Sequence, residues 1–192
     1  PIVMGWQWGG GWLASIGFSD FAGSTLVHST GGAAALAGII ILGPRFGRFD
    51  SKGNPKVIQP FAASSIPLVT IGVFVLWLGW FGFNGGSQLA LGSFADAVAI
   101  STIFINTNLA ACGGVLAAAV ITRLLFGKTD VVQMLNGAIG GLVAITAEPL
   151  APSPLSAILI GAIGGVIVVF GTKLLFSFKL DDVVGAIPAH MF

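Results

Sequence analysis

Long uncharged stretches alternate with short charged ones along this chain. Five apolar stretches, at about 21–43, 57–83, 97–122, 131–147 and 154–172, are candidates to cross a bilayer, which takes roughly 20 helical residues. The fourth is short. A sixth begins near Val183 and is truncated at Phe192. Hydrocarbon offers the backbone no water to bond, so each stretch reads as a helix. The pattern predicts an all-α membrane protein, a polytopic transmembrane helix bundle.

The connectors sort by charge. Segment 44–56 holds Arg45, Arg48, Lys52 and Lys56, segment 123–130 holds Arg123 and Lys128, and segment 173–182 holds Lys173 and Lys179. Those eight are every cation in the chain. The intervening connectors, 1–20, 84–96 and 148–153, carry Asp20, Asp96 and Glu148 and no cation. The positive-inside rule places the basic loops in the cytoplasm and residues 1–20 outside, in a multi-pass protein of the cell membrane.

Composition agrees. The chain is 55% hydrophobic and 8% charged, against about 25% charged residues in soluble domains. Its 29 glycines suit close helix packing in lipid. "GAIGG" occurs at 137–141 and again at 161–165, and packing by small residues explains both. Cys112 is the single cysteine, so an internal disulfide is excluded. A net charge of +1 gives no footing for nucleic acid. No signal peptide is visible, and both ends read as cut.

Candidate chemistry centres on the two histidines, His28 and His190. Each lies eight residues after an aspartate, in "DFAGSTLVH" (20–28) and "DVVGAIPAH" (182–190). Both fit D-x2-G-x4-H. The first heads a helix running inward and the second a helix running outward, as an inverted repeat would leave. Eight residues of helix reach roughly 12 Å, so the imidazoles approach the midplane of a roughly 30 Å core from opposite faces. They could touch if their helices pack together. Asp20 and Asp182 also suit plain helix N-caps. Histidine at membrane depth is costly and points to function. A bis-histidine haem across two helices is a further reading, as is a pair of merely satisfied core histidines.

At these residues the chain resembles the ammonium transporter family (Amt/Mep/Rh), in its Amt branch. "GGWLASIGFSDFAGSTLVHSTGG" resembles the segment leading into the family's fifth helix. "LGWFGFNGGS" (78–87) resembles the end of the sixth, "NGAIGGLVAIT" (136–146) the eighth and "DDVVGAIPAH" (181–190) the tenth. The resemblance implies an eleven-helix fold of two inverted halves with one pore per subunit in a homotrimer. Residues 1–192 would be a partial ammonium transporter domain, helices five to nine and the start of ten.

The resemblance further implies roles. His28 and His190 match pore-lining twin histidines. Phe83 matches an outer-gate phenylalanine whose partner lies on an upstream helix. Trp8, Phe83 and Ser87 match the outer ammonium site, and Asp20 an acid that shapes that site without binding the ion. Asp182 is a helix-cap acid. A cytoplasmic regulatory protein of the PII type is an implied partner. Gly185 departs from the pattern, standing where some members carry an acid. Apart from the resemblance, Trp6, Trp8 and Trp12 read as an interfacial belt, Phe83 as packing beside Phe74, Trp77, Trp80 and Phe81, and Ser87 as a helix cap. Asn106 to Asn108 and Cys112 carry no assigned chemistry.

The function expected is ammonium transport, with ammonium or ammonia as substrate and no cofactor, metal or enzymatic activity. The cation is recruited at the outer aromatic site, deprotonated, and passed along an apolar pore. An ammonium sensor, the same pore fused to a signalling domain, is the alternative, and a haem membrane protein a more distant one.

Overall fold

The computed structural model describes residues 1–49 and 63–192. Two short helices, α1 (Ile2–Gln7) and α2 (Trp12–Ser15), lead into a π-helical turn (Ser24–Ser29) that continues without a break as α3 (Thr30–Leu42). Then come α4 (Ile66–Gly86), α5 (Phe94–Phe126), α6 (Val131–Ile145), α7 (Pro154–Ser177) and α8 (Ala186–His190).

Each long helix starts where a side chain meets its orphan N–H groups. Ser65 accepts from Leu68 N at the head of α4, and Ser153 from Ser156 N at the head of α7. Both are followed by proline in the first turn, where a missing N–H does no harm. Ser93 and Asp96 form a reciprocal capping box on α5, which ends at the left-handed Gly127. Asp130 accepts from Val132 N and Gln133 N on α6.

Lengths separate the helices into two kinds. Ser24–Leu42, Ile66–Gly86, Phe94–Phe126 and Pro154–Ser177 are long and apolar enough to cross a membrane. α5, with 33 residues, extends about 50 Å and runs well past the expected 97–122. α6 has 15 residues, about 22 Å, which falls short of a roughly 30 Å core. It is tolerated because it is enclosed, with Gly137 to Val143 all buried between its neighbours. The expected second span loses its start, since 57–62 lies outside the described residues, and α4 runs on to Gly86. The last helix begins at Ala186, not near Val183, because Asp182 to Gly185 form its cap.

Helices α5, α6 and α7 form the packed centre. Lipid gives apolar faces no reason to associate, so close backbone contact does the work. A methyl on Gly140 would stand 2.6 Å from Val168 Cγ2, and one on Gly164 would stand 2.6 Å from the Gly140 carbonyl. A methyl on Gly161 would collide with the Ala110 carbonyl, and one on Gly165 with that of Gly114. Both "GAIGG" segments are thus used as packing surfaces. The outer faces of α3 and α4 remain apolar and exposed, with Ile41, Leu42, Leu68 and Leu78 all more than two-thirds accessible.

Candidate functional site

The D-x2-G-x4-H motif folds into the same device twice. Asp20 Oδ1 accepts from Gly23 N (3.0 Å) and Ser24 N (2.9 Å), and Oδ2 from Thr25 N (2.8 Å) and Leu26 N (2.9 Å). Asp182 Oδ1 accepts from Val184 N (3.3 Å), Gly185 N (3.0 Å) and Ala186 N (3.1 Å), and Oδ2 from Ile187 N (2.8 Å). The motif's glycine sits at the tightest point of each cap, with φ of 113° at Gly23 and 78° at Gly185. A side chain is strained there, so glycine is the residue that fits. Gly185 is further constrained, because a methyl on it would lie 2.5 Å from Asn136 Nδ2. Any side chain at this position would have to displace the Asn136 amide and adopt a left-handed backbone.

The two copies differ in one respect. The first opens into a π turn, wider by one residue than an α turn, so its carboxylate reaches one residue further along the chain. The loop of Asp20 is docked on the end of α6 by Phe21 N to Ala147 O (2.8 Å) and Ala22 N to Thr146 O (3.1 Å). Asp20 is 1% exposed. Four N–H groups use its four in-plane lone pairs, so Asp20 is spent as a cap and has no oxygen left for a cation.

From these caps the histidines meet. His28 Nδ1 and His190 Nδ1 are 3.1 Å apart, with ring centroids at 5.1 Å. Such a contact requires one nitrogen to carry the proton and the other its lone pair. The outward Nε2 atoms are then unlike, one a donor and one an acceptor. His28 Nε2 is buried and has no protein partner. Trp80 stacks on the His28 ring at 4.9 Å and 15°, and Phe83 lies at 5.3 Å. A haem iron between two ring nitrogens would need them about 4 Å apart, at about 2 Å per bond. Rings already in contact leave no such gap.

Their helices are joined at the basic end too. The buried Asp181 carboxylate takes Arg45 Nε (2.7 Å), Arg45 Nη2 (2.8 Å) and Arg45 N (3.0 Å), with Arg48 Nε at 3.3 Å. Hydrogen bonding by Arg45 holds the Asp181 carboxyl below the usual carboxylate range, and the same bonds raise Arg45. The end of α3 and the start of α8 therefore lie side by side. At the opposite end of the pair the start of α3 meets the end of α8, and Gly32 makes room there, since a methyl on it would meet Met191 Cβ at 2.6 Å. A cavity of about 870 Å³ opens from His190 toward Arg45, walled by Val73, Leu76, Ile139 and Asn136.

Residues of the expected outer site are placed one by one. Ser87 caps the C-terminus of α4 and donates its hydroxyl to Phe83 O at 2.8 Å. Its lone pairs remain as acceptors. Trp8 donates its indole N–H to Asp20 O at 2.8 Å, whereas Trp6 and Trp12 pair with each other at 5.8 Å. Among the described residues Phe83 makes ring contacts with His28 and Trp80, and none with Trp8. Phe83 is thus joined to the histidines, and Trp8 to the Asp20 cap.

The model of the Ammonium Transporter Family matches residues 1–192, the whole chain. The chain belongs to the ammonium transporter family. It is 48% identical over 202 residues to ammonium transporter Amt2 of Archaeoglobus fulgidus, covering 100% of this chain and 42% of the relative. It is 47% identical to a putative ammonium transporter of Synechocystis sp., over 99% of this chain and 42% of the relative. Of solved structures, Candida albicans Mep2 superposes with a TM-score of 0.85 at 34% identity, over 98% of this chain and 40% of that one. One titled "Sensor Amt Protein" gives 0.87 at 38% identity, over 94% of this chain and 43% of that one. The chain thus spans about two fifths of the relatives it matches. The two curated relatives are named as ammonium transporters, the second as a putative one.

Sequence reasoning missed the groups behind the histidine. Trp80 Nε1 donates to Thr146 Oγ1 (2.9 Å), Thr146 Oγ1 lies 3.1 Å from Asn84 Oδ1, and Asn84 Nδ2 donates to Thr107 Oγ1 (2.9 Å). Asparagine and threonine inside apolar helices were the available signal. Asn106, by contrast, ties the α6–α7 loop by donating to Pro149 O and Pro152 O.

Proposed function

We propose that this chain forms part of an ammonium transporter of the cell membrane, with the basic loops in the cytoplasm and residues 1–20 outside. The observation that carries the reading is the 3.1 Å contact between His28 and His190. It is a neutral, hydrogen-bonding pair in an otherwise apolar passage. Family membership and the one-sided distribution of cations support the rest.

The chemistry follows from desolvation. Moving an ion from water into a low-dielectric bore costs of order 20 kcal/mol in the idealised Born picture. Potassium and ammonium share charge and similar size. Ammonium differs in having N–H donors and a removable proton. Aromatic faces at Trp8 and Phe83 each contribute about 0.5–2 kcal/mol of cation–π attraction, and the free lone pairs of Ser87 accept an N–H bond. That recruits the cation. Once deprotonated, ammonia crosses without most of the desolvation cost. The paired histidines offer it one donor and one acceptor, and a route for the proton. Phe83, packed on His28, closes the passage from the outer side.

In the full-length protein, His28→Ala should alter the charge carried per ammonium or the preference for ammonium over potassium. Currents and preference both unchanged would remove the histidines from the mechanism. A homotrimer and a PII-type cytoplasmic regulator are part of the proposal on family grounds. A second reading, an ammonium sensor with the same pore, is favoured by the neighbour titled "Sensor Amt Protein". Sequence beyond Phe192 in the full-length protein, with or without a signalling domain, separates the two.

A further inference from the structure

Trp80, Thr146, Asn84 and Thr107 form a chain of buried polar side chains that links α4, α5 and α6. Trp80 is 6% exposed, and the other three are fully buried. No such chain is needed to join apolar helices, since small residues already do so at the centre of this fold. One end of it is the ring that lies flat on His28.

We infer that Thr146, backed by Asn84 and Thr107, is a positioning residue for His28, acting through the indole of Trp80. The inference rests on the proposed role of the histidines. A stacked indole can slide and rotate in its plane unless its one polar atom is held. Here the N–H is held at 2.9 Å by a hydroxyl that cannot move freely. Thr146 Oγ1 lies 2.6 Å from Leu142 O, one turn back on α6, and 3.1 Å from Asn84 Oδ1. Asn84 is tied in turn to Thr107 on α5. His28 has one ring nitrogen engaged by His190, and its Nε2 lacks a protein partner. Its plane is therefore set by the His190 contact at one edge and by the aromatic wall of Trp80 and Phe83. Fixing the indole fixes the direction in which Nε2 points.

The competing account is that the network only glues helices. Removing one partner leaves a buried group unpaired, whereas replacing both with apolar groups is close to neutral for stability. Positioning does not recover in that way. The test uses the full-length transporter, with Thr146→Val, Thr146→Ser, Trp80→Phe and the double variant Trp80→Phe/Thr146→Val. Detergent thermal stability and ammonium-over-potassium selectivity are read for each. Thr146→Val should lose stability and about tenfold in selectivity, on the scale by which misplaced groups lose rate. Thr146→Ser should restore both. The double variant should regain the part of the stability lost at the indole N–H, with Asn84 Oδ1 still short of the Thr146 hydroxyl, yet keep the whole selectivity loss. Selectivity returning along with stability would overturn the inference, as would wild-type selectivity in Thr146→Val. Should Thr146→Val fail to fold, Trp80→Phe, which keeps a ring but no N–H, carries the same comparison. His28→Ala is run alongside: no effect there would sink the underlying reading, while an effect there with none at Thr146 would sink only this one.

Discussion

Asp20→Asn isolates what the first motif is for. The carboxylate accepts four backbone N–H groups at 2.8–3.0 Å in a site with 1% exposure. An amide of the same shape offers one oxygen, enough for two of them. The other two N–H groups would face an NH2 that is itself a donor. Hydrogen bonds to charged acceptors contribute about 1.5–3 kcal/mol each, so two lost bonds correspond to roughly 3–6 kcal/mol. A neutral amide is less costly to bury than a carboxylate, which places the expectation near the low end. About 3 kcal/mol is a factor of roughly 150 in the unfolding equilibrium. The assay is thermal and denaturant unfolding of the full-length protein in detergent, with methylammonium uptake measured in parallel. Asp182→Asn serves as the internal control. It carries an equivalent set of bonds but is half-buried, so water can replace part of what is lost and the effect should be smaller. Loss of uptake in Asp20→Asn should accompany loss of fold, because Trp8 hangs from the Asp20 carbonyl. An Asp20→Asn protein as stable as wild type, with ammonium affinity alone reduced, would refute the reasoning and make the carboxylate a ligand for the cation.

The Arg45–Asp181 cluster predicts a pH dependence. Its carboxyl is depressed in the fold, so its contribution is complete above the ordinary aspartate value of about 4 and is lost as pH falls through the lower folded value. Asp181→Asn should therefore lower stability at neutral pH and flatten the acid limb of the stability profile; an unchanged limb would show that another carboxylate sets it. Gly161→Ala should destabilise by about 1–3 kcal/mol, because its methyl collides with the Ala110 carbonyl on α5 and overpacking forces the helices apart. Gly38→Ala on α3 meets nothing within 4 Å and should leave stability unchanged or raise it by up to about 1 kcal/mol, as read by the same detergent melts.

Much of the architecture is written locally. Apolar length announces the helices but not all of their starts: the expected second span begins at about 57, whereas α4 starts at Ile66 behind the Ser65 cap, and α5 starts at Phe94 behind Ser93. The spacing in D-x2-G-x4-H repeats the same placement twice, although the first four residues of each motif form a cap and only Ser24–His28 and Ala186–His190 are helical, so the expected eight-residue helical reach is halved. Apolar length and motif spacing are properties of one segment and its solvent, and no distant residue can alter them. Tertiary structure decided the rest. A repeated motif says nothing about lateral neighbours, and the His28–His190 contact joins residues 162 apart in sequence. The shortness of α6 becomes tolerable only because its neighbours enclose it. A π turn in place of an α turn has no compositional mark. Trp80 looked like one more aromatic in a crowded helix until packing laid it on His28. Asn84, Thr107 and Thr146 looked like scattered polar residues until three helices brought them within bonding distance. In an apolar medium the sequence sets which stretches become helices and which motif is repeated, while directional contacts between helices exist only once the bundle has closed.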